Sequence, residues 1–373
     1  MKKYILILAS LIAINSFAQN PIFYMLVGSY TGTGKGQGIS VYKFNPNKGE
    51  ADLMSTFSMN NPSYLCVSKD RQYVYAVNEN PGDEAGAVTA LALDRKKGSL
   101  TLINQQPTDG FAPCYINTDS SGKIVVTANY SGGNLTVFPV SENGGLQPYT
   151  QLISHEGYGV NVQRQEMPHP HGAVLSPDGK YLFVPDLGTD RLYQYNFNTS
   201  QPQNALTHAE TQYYTIPDGS GPRSICFAPD GKTAYLLNEL SGDIIVYGYD
   251  GKTLTEKQTI KSDISNTKAD KASAHIAITP NGKFLYTSNR GVNEIVIYKV
   301  QTDGILLEAG RQPVAAKPRF FIIDPTGRFL LSAAQDGNTI QIFVINKNYG
   351  LLQDTDVKIN VPAPVCIAMT PVF

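Results

Sequence analysis

The chain has 373 residues, with 30 Lys and Arg against 31 Asp and Glu, a formal net charge of −1. Near-neutrality without a basic tail or stripe argues against nucleic acid as a partner. Hydrophobic residues make up 42% and charged residues 16%, with 33 Gly and 23 Pro spread along the chain, which excludes a disordered or collagen-like polymer and points to a folded, turn-rich protein.

At the N-terminus, Lys2 and Lys3 precede an apolar run from Tyr4 to Ile14, followed by Ser16, Phe17 and Ala18. This is the pattern of an export signal cleaved near Ala18. The run is too short for a comfortable membrane span, and nothing later reaches the roughly 20 apolar residues a span needs. The expected product is therefore residues 19–373, one exported domain, periplasmic or extracellular and without a membrane span. Losing Lys2 and Lys3 leaves 28 basic against 31 acidic side chains, a net charge of −3.

Strand signals begin at Tyr24–Ser29 and Gly38–Phe44, and one phrase then recurs: a Pro-led apolar stretch, a Pro-Asp-Gly-Lys turn or a variant of it, and a β-rich run ending near Asn. Its copies span Ser68–Asn78, Thr118–Asn129, Ser176–Asp186, Ala228–Asn238, Thr279–Asn289 and Asp324–Ala334. Their turn glycines, Gly122, Gly179, Gly231, Gly282 and Gly327, are 57, 52, 51 and 45 residues apart. About 45 to 50 residues is what four short antiparallel strands require, the spacing of a propeller blade. No stretch after the leader sustains a helical period, so helices are predicted to be short or absent.

Six units are complete, and the ends supply the halves of a seventh. Tyr24–Ser29 matches a second strand, Gly38–Phe44 a third, and Pro364–Met369 a first strand with no second after it. The predicted fold is all-β, a seven-bladed β-propeller whose closing blade is shared by the two termini, hiding sheet edges that would otherwise invite aggregation. Cys66, Cys114, Cys226 and Cys366 lie in or beside apolar strand-like runs and read as buried free thiols, not a disulfide framework.

Where the repeats diverge into polar residues, a site is indicated. The position after each strand-ending residue carries Tyr30, Glu79, Tyr130, Leu187, Glu239, Arg290 and Gln335. The preceding Asn78, Asn129, Asn238 and Asn289 recur and read as turn chemistry. A second ring, at the starts of the inner strands, carries Tyr64, Cys114 with Tyr115, His171, Arg223 with Ser224, His275 and Arg319. One blade also holds a long polar insertion, from Gly157 through Arg164, Gln165 and His169 to His171, suited to folding over a pocket.

In these segments the chain resembles the seven-bladed lactonase family, which includes the propeller type of 6-phosphogluconolactonase and a carboxy-muconate lactonising enzyme. The matching segments include Val27–Thr31, Asn61–Ser63, Val77–Glu79, Ala128–Tyr130, Pro168–His171, Asp186–Asp190, Gly221–Arg223, Asn238–Leu240 and Ser288–Arg290, in order from about Tyr24 to the C-terminus. The resemblance implies His171, Arg223, Glu239 and Arg290 as the catalytic cluster, with Arg164, Asp186 and Arg319 nearby. Gln165, His169, Glu79 and Tyr130 are expected to complete the substrate site. The chain departs from the family pattern at Tyr115, where members often have His after Pro-Cys, and at Ser224, which replaces a His after Gly-Pro-Arg.

Lactone hydrolysis needs a base for water, a cationic or hydrogen-bonding group for the oxyanion, and a proton for the leaving alkoxide. The expectation is that His171 or Glu239 is the base and the other the acid, while Arg223 and Arg290 hold the oxyanion and a substrate carboxylate or phosphate. The expected substrate is a small, anionic lactone. No cofactor is implied, and no metal either, since His169 and His171 lack an obvious third ligand. Gly32–Gly38 lacks the ending of a phosphate loop, and no Gly-x-Ser-x-Gly elbow occurs. Two other readings stay open: a non-catalytic propeller that binds a ligand or protein, and a metal-dependent lactonase or lactone-forming cycloisomerase.

Overall fold

A computed structural model describes residues 21–32, 36–80, 85–265 and 271–372 of the protein, so the predicted export signal lies outside the described residues. Twenty-eight strands, β1 to β28 in chain order, form seven four-stranded antiparallel sheets. Six sheets use consecutive strands: blade 1 (β4–β7, residues 65–111), blade 2 (β8–β11, residues 113–154), blade 3 (β12–β15, residues 174–215), blade 4 (β16–β19, residues 222–261), blade 5 (β20–β23, residues 273–313) and blade 6 (β24–β27, residues 318–360). The closing blade has the order β28-β1-β2-β3, with β28 (Pro364–Pro371) antiparallel to β1 (Phe23–Ser29), followed by β2 (Gly38–Asn45) and β3 (Glu50–Ser58), as the half-repeats at the two ends predict. The one helical element among the described residues is a 3₁₀ turn at Pro202–Asn204. No helix among them is long and apolar enough to cross a membrane.

The repeat phrase works through its turn. In blade 3 the Ser176 hydroxyl donates to the Asp178 carboxylate at 2.7 Å, and the amide of Gly179, at φ +70°, closes on the Ser176 carbonyl. That turn launches β13 (Tyr181–Asp186), a second strand lying between neighbouring sheets. Second strands are therefore buried on both faces, as β17 (Thr233–Asn238) is throughout, and read as unbroken apolar runs instead of alternating ones. Outer strands such as β3 (Glu50–Ser58) alternate toward solvent. The core lies between blades, with Phe44, Phe183, Phe321 and Tyr298 among its largest buried side chains.

Two expectations need correction in detail. Three of the recurrent asparagines, Asn78, Asn129 and Asn289, are buried pins, not turn residues, while Asn238 is buried with neither side-chain polar atom partnered among the described residues. Asn78 donates to the Asn60 carbonyl at 2.9 Å and accepts from Thr89 and Gln105, while Asn129 bonds Asn134 and Thr136. These bonds tie the end of the second strand to the strand or loop beside it. His275 also leaves the mouth ring, because Ala274 takes that register position in blade 5 and His275 falls one residue deeper. It stacks on Phe320 at 4.0 Å, and with Tyr64 and Tyr115, 4.3 Å apart, forms an aromatic floor across the channel. All four cysteines are free.

Candidate active site

One mouth of the channel gathers two side chains per blade: the residue after the second strand and the residue after the Pro that leads the inner strand. The second set is aimed by β-bulges. Register shifts fall between Pro113 and Tyr115, Pro222 and Ser224, and Pro318 and Phe320, so Cys114, Arg223 and Arg319 are the extra residues of their pairs. A bulge re-aims a side chain that strict pleating would send into the sheet.

Glu239 follows β17, its amide held by the Gly221 carbonyl at 2.7 Å, and its side chain is buried. Its Oε1 accepts from Arg164 Nη2 at 2.7 Å. Its Oε2 lies 2.8 Å from both Arg223 Nε and Arg290 Nη2. Arg223 also donates to the Ala274 carbonyl and Arg290 Nε to the Ala272 carbonyl, which fixes both guanidinium planes. Burial pushes the Glu239 pKa up, but Arg290, Arg223 and Arg164 together outweigh it and hold the carboxyl well below the usual range. Burial, aided by Arg290, brings Arg223 down to about 10, so it stays charged at neutral pH.

His171 stands beside this group with its amide on the Pro185 carbonyl and its Nδ1 3.6 Å from Cys114 Sγ. Burial, with Arg223 and Arg319 adding to it against the opposing Glu239, holds its pKa well below the ordinary value. The imidazole is therefore neutral at pH 7. Burial raises the Cys114 thiol, which stays protonated. With Ser63, Arg223 and Arg319, these two residues line a cavity of about 20 Å³, room for roughly one water. The floor residues Tyr64, Tyr115 and His275 separate it from an apolar cavity of about 410 Å³ beyond.

Across the mouth, Tyr30 donates its hydroxyl to Glu79 Oε1 at 2.9 Å. Arg319 lies over the Tyr30 ring with Nη2 3.9 Å from Glu79 Oε2. Arg164 reaches in from the insertion, 3.4 Å from the Tyr130 hydroxyl. The structure thus brings together His171, Glu239, Arg223, Arg290, Arg164, Arg319, Glu79 and Tyr130. Four guanidinium groups face two carboxylates and a neutral imidazole, leaving an excess of two positive charges.

The structure gives Gln165, His169 and Asp186 a different duty from the expected substrate binding. Gln165 is fully buried, donating to the Leu187 carbonyl and accepting the Asn161 amide. His169 stacks on Tyr130 and binds its carbonyl through Nδ1 at 2.8 Å. Asp186 accepts three backbone amides, from His169, Gly188 and Thr189, and pairs with His155 at 2.6 Å. These side chains shape the insertion that delivers Arg164 and His171. Tyr30 and Ser63 join the site beyond the expected residues; the sequence places Tyr30 in the first ring and Ser63 only in the Asn61–Ser63 motif. Among the described residues no three His, Cys, Asp or Glu side chains gather as a metal ligand set.

The family model for the seven-bladed β-propeller lactonases matches residues 24–369. The chain is 37% identical over 335 residues to a 6-phosphogluconolactonase of Formosa agariphila, covering 88% of this chain and 94% of the relative. It is 32% identical to the 6-phosphogluconolactonase of Bacillus subtilis, covering 91% and 96%. Among solved structures, a Bacteroides fragilis protein described as a candidate 6-phosphogluconolactonase superimposes with a TM-score of 0.90 at 42% identity, covering 95% of this chain and 99% of its own. The periplasmic gluconolactonase of Pseudomonas aeruginosa gives 0.88 at 32% identity, covering 94% and 99%. With the family model spanning all seven blades, this chain belongs to the seven-bladed β-propeller lactonases.

Proposed function

We propose that the protein hydrolyses a sugar lactone at this mouth, acting outside the cytoplasm after removal of residues 1–18. The observation that carries the reading is the neutral, half-buried His171 beside a carboxylate held by three arginines, in a mouth with excess positive charge. Relatives named 6-phosphogluconolactonase and gluconolactonase support the reaction, and the excess charge supports an anionic substrate.

His171 accepts a proton from water as that water attacks the lactone carbonyl carbon. Charge developing on the carbonyl oxygen is stabilised by Arg223 and Arg290, whose planes are already fixed. The ring C–O bond breaks, and the imidazolium returns its proton to the leaving ring oxygen, giving a hydroxy acid. Glu239 acts differently from the expected acid or base. A carboxylate that three guanidinium groups keep ionised neither gives nor takes a proton near neutrality, so its part is to position the arginines.

The test is hydrolysis of 6-phosphogluconolactone and gluconolactone by the purified mature protein. His171→Gln is expected to lower kcat about 10²- to 10⁴-fold, and chelator to leave turnover unchanged. Full turnover in His171→Gln would remove the base assignment. No turnover on any lactone would favour a binding propeller instead.

A further inference from the structure

The side of the mouth opposite Glu239 is left unused by the hydrolytic scheme, and it holds polar groups with unmet hydrogen-bonding capacity. Glu79 Oε2 is buried and has no hydrogen-bond partner among the described residues, although Oε1 of the same carboxylate receives the Tyr30 hydroxyl. Arg319 Nη2, at 3.9 Å, is too far to donate to it. Ser63 is 3% exposed, its hydroxyl is likewise unpartnered, and it lines the same small cavity as Arg319 and His171. Leaving such groups unmet in a buried place is unfavourable. Such groups call for a partner from outside the protein or a role in its chemistry.

The chemistry of the missing partner follows from the groups present. Glu79 Oε2 only accepts and repels anions, whereas Arg319 only donates and repels cations. A neutral group that donates and accepts through one atom satisfies both across their separation, and a hydroxyl does so. We propose that Glu79, Arg319 and Ser63 form a subsite for the hydroxyl groups of a polyhydroxylated lactone. The arginine half of the mouth would then take the reacting ester and any anionic group, while this half discriminates sugar lactones from aliphatic ones. The proposal rests on the lactonase reading for its substrate, though not for its geometry.

The experiment compares kcat/KM for δ-gluconolactone and δ-valerolactone, the same ring ester without hydroxyl groups. In Glu79→Gln the side-chain shape is kept, but the amide nitrogen facing Arg319 no longer accepts. The gluconolactone-to-valerolactone ratio is expected to fall about 10- to 100-fold. Ser63→Ala should lower the ratio in the same direction without lowering the melting midpoint, since the hydroxyl has no hydrogen-bond partner to lose among the described residues. An unchanged ratio in both variants, with both lactones hydrolysed, overturns the subsite and leaves the lactonase reading intact. If the wild type hydrolyses neither lactone, calorimetric titration with gluconate decides. Binding that weakens in Glu79→Gln supports the subsite without the lactonase reading, and no binding overturns both.

Discussion

Three guanidinium groups converge on the Glu239 carboxylate, and one of them, Arg223, also acts on the neighbouring imidazole. His171 works as a base only while neutral. Burial lowers its pKa first, and Arg223 and Arg319 lower it further. Protonation therefore sets in below the ordinary histidine value near 6.5, so kcat/KM should stay level from neutrality down through pH 6.5 and fall only at lower pH. Replacing Arg319 by Gln removes one of the two cations and should move that acid limb upward, toward 6.5. A limb that stays put or moves down would show that charge is not what tunes His171. The residue scale is also where the sequence was least legible. Asp186, Gln165 and His169 are as polar as Glu79 and Arg319, and nothing in their identities says that backbone amides and carbonyls already occupy them. Ser63 shows the reverse, an ordinary residue made unusual only by burial without a partner.

At the scale of the element, the recurring unit is a second strand latched to the next blade. Tyr75, Tyr235 and Tyr286 occupy the third place in their strands and donate to the carbonyls of Gly144, Gly304 and Gly350, at 3.1, 2.9 and 2.7 Å. Those glycines sit in the outer turns of blades 2, 5 and 6, at φ +79°, +87° and +76°. A Cβ on Gly304 would stand 2.6 Å from the Thr233 hydroxyl oxygen, so the turn needs glycine both for its backbone conformation and for close approach. Tyr235→Phe should cost about 1 kcal/mol, one buried hydrogen bond. Gly304→Ala should cost more, about 1–3 kcal/mol, because strain and the clash add. Chemical denaturation of the two variants checks the order, and a Gly304→Ala protein as stable as wild type would contradict it. The blades themselves were legible because turn glycines about 50 residues apart leave room for four strands and little else. The bulges at Cys114, Arg223 and Arg319 were not, because a leading Pro followed by any residue gives no sign of a register shift.

At the scale of the molecule, the site exists only when the ring is closed. Its parts come from the closing blade (Tyr30), blade 1 (Glu79, Ser63), blade 2 (Cys114, Tyr130), blade 3 (Arg164, His171), blade 4 (Arg223, Glu239), blade 5 (Arg290) and blade 6 (Arg319). Closure depends on β28, which runs beside β1 from Phe23 opposite Pro371 to Ser29 opposite Pro364. It also supplies Cys366 and Ile367 to the core shared with blade 6 and blade 1 residues such as Leu331 and Val74. A chain ending at residue 363 would leave the β1 edge unpaired and the apolar faces on either side of it without cover. Unpaired edges next to apolar surface template association between chains. Such a truncated protein should therefore elute as aggregate and lack lactone turnover, although every polar residue of the mouth is still present. A synthetic peptide of residues 364–372, added during refolding, should restore both the elution position of the intact protein and activity by filling the inner position of the closing blade. A non-aggregated, active protein without β28 would mean that six blades and three strands already hold Arg319 and Glu79 in place, and that the shared blade contributes little to the site.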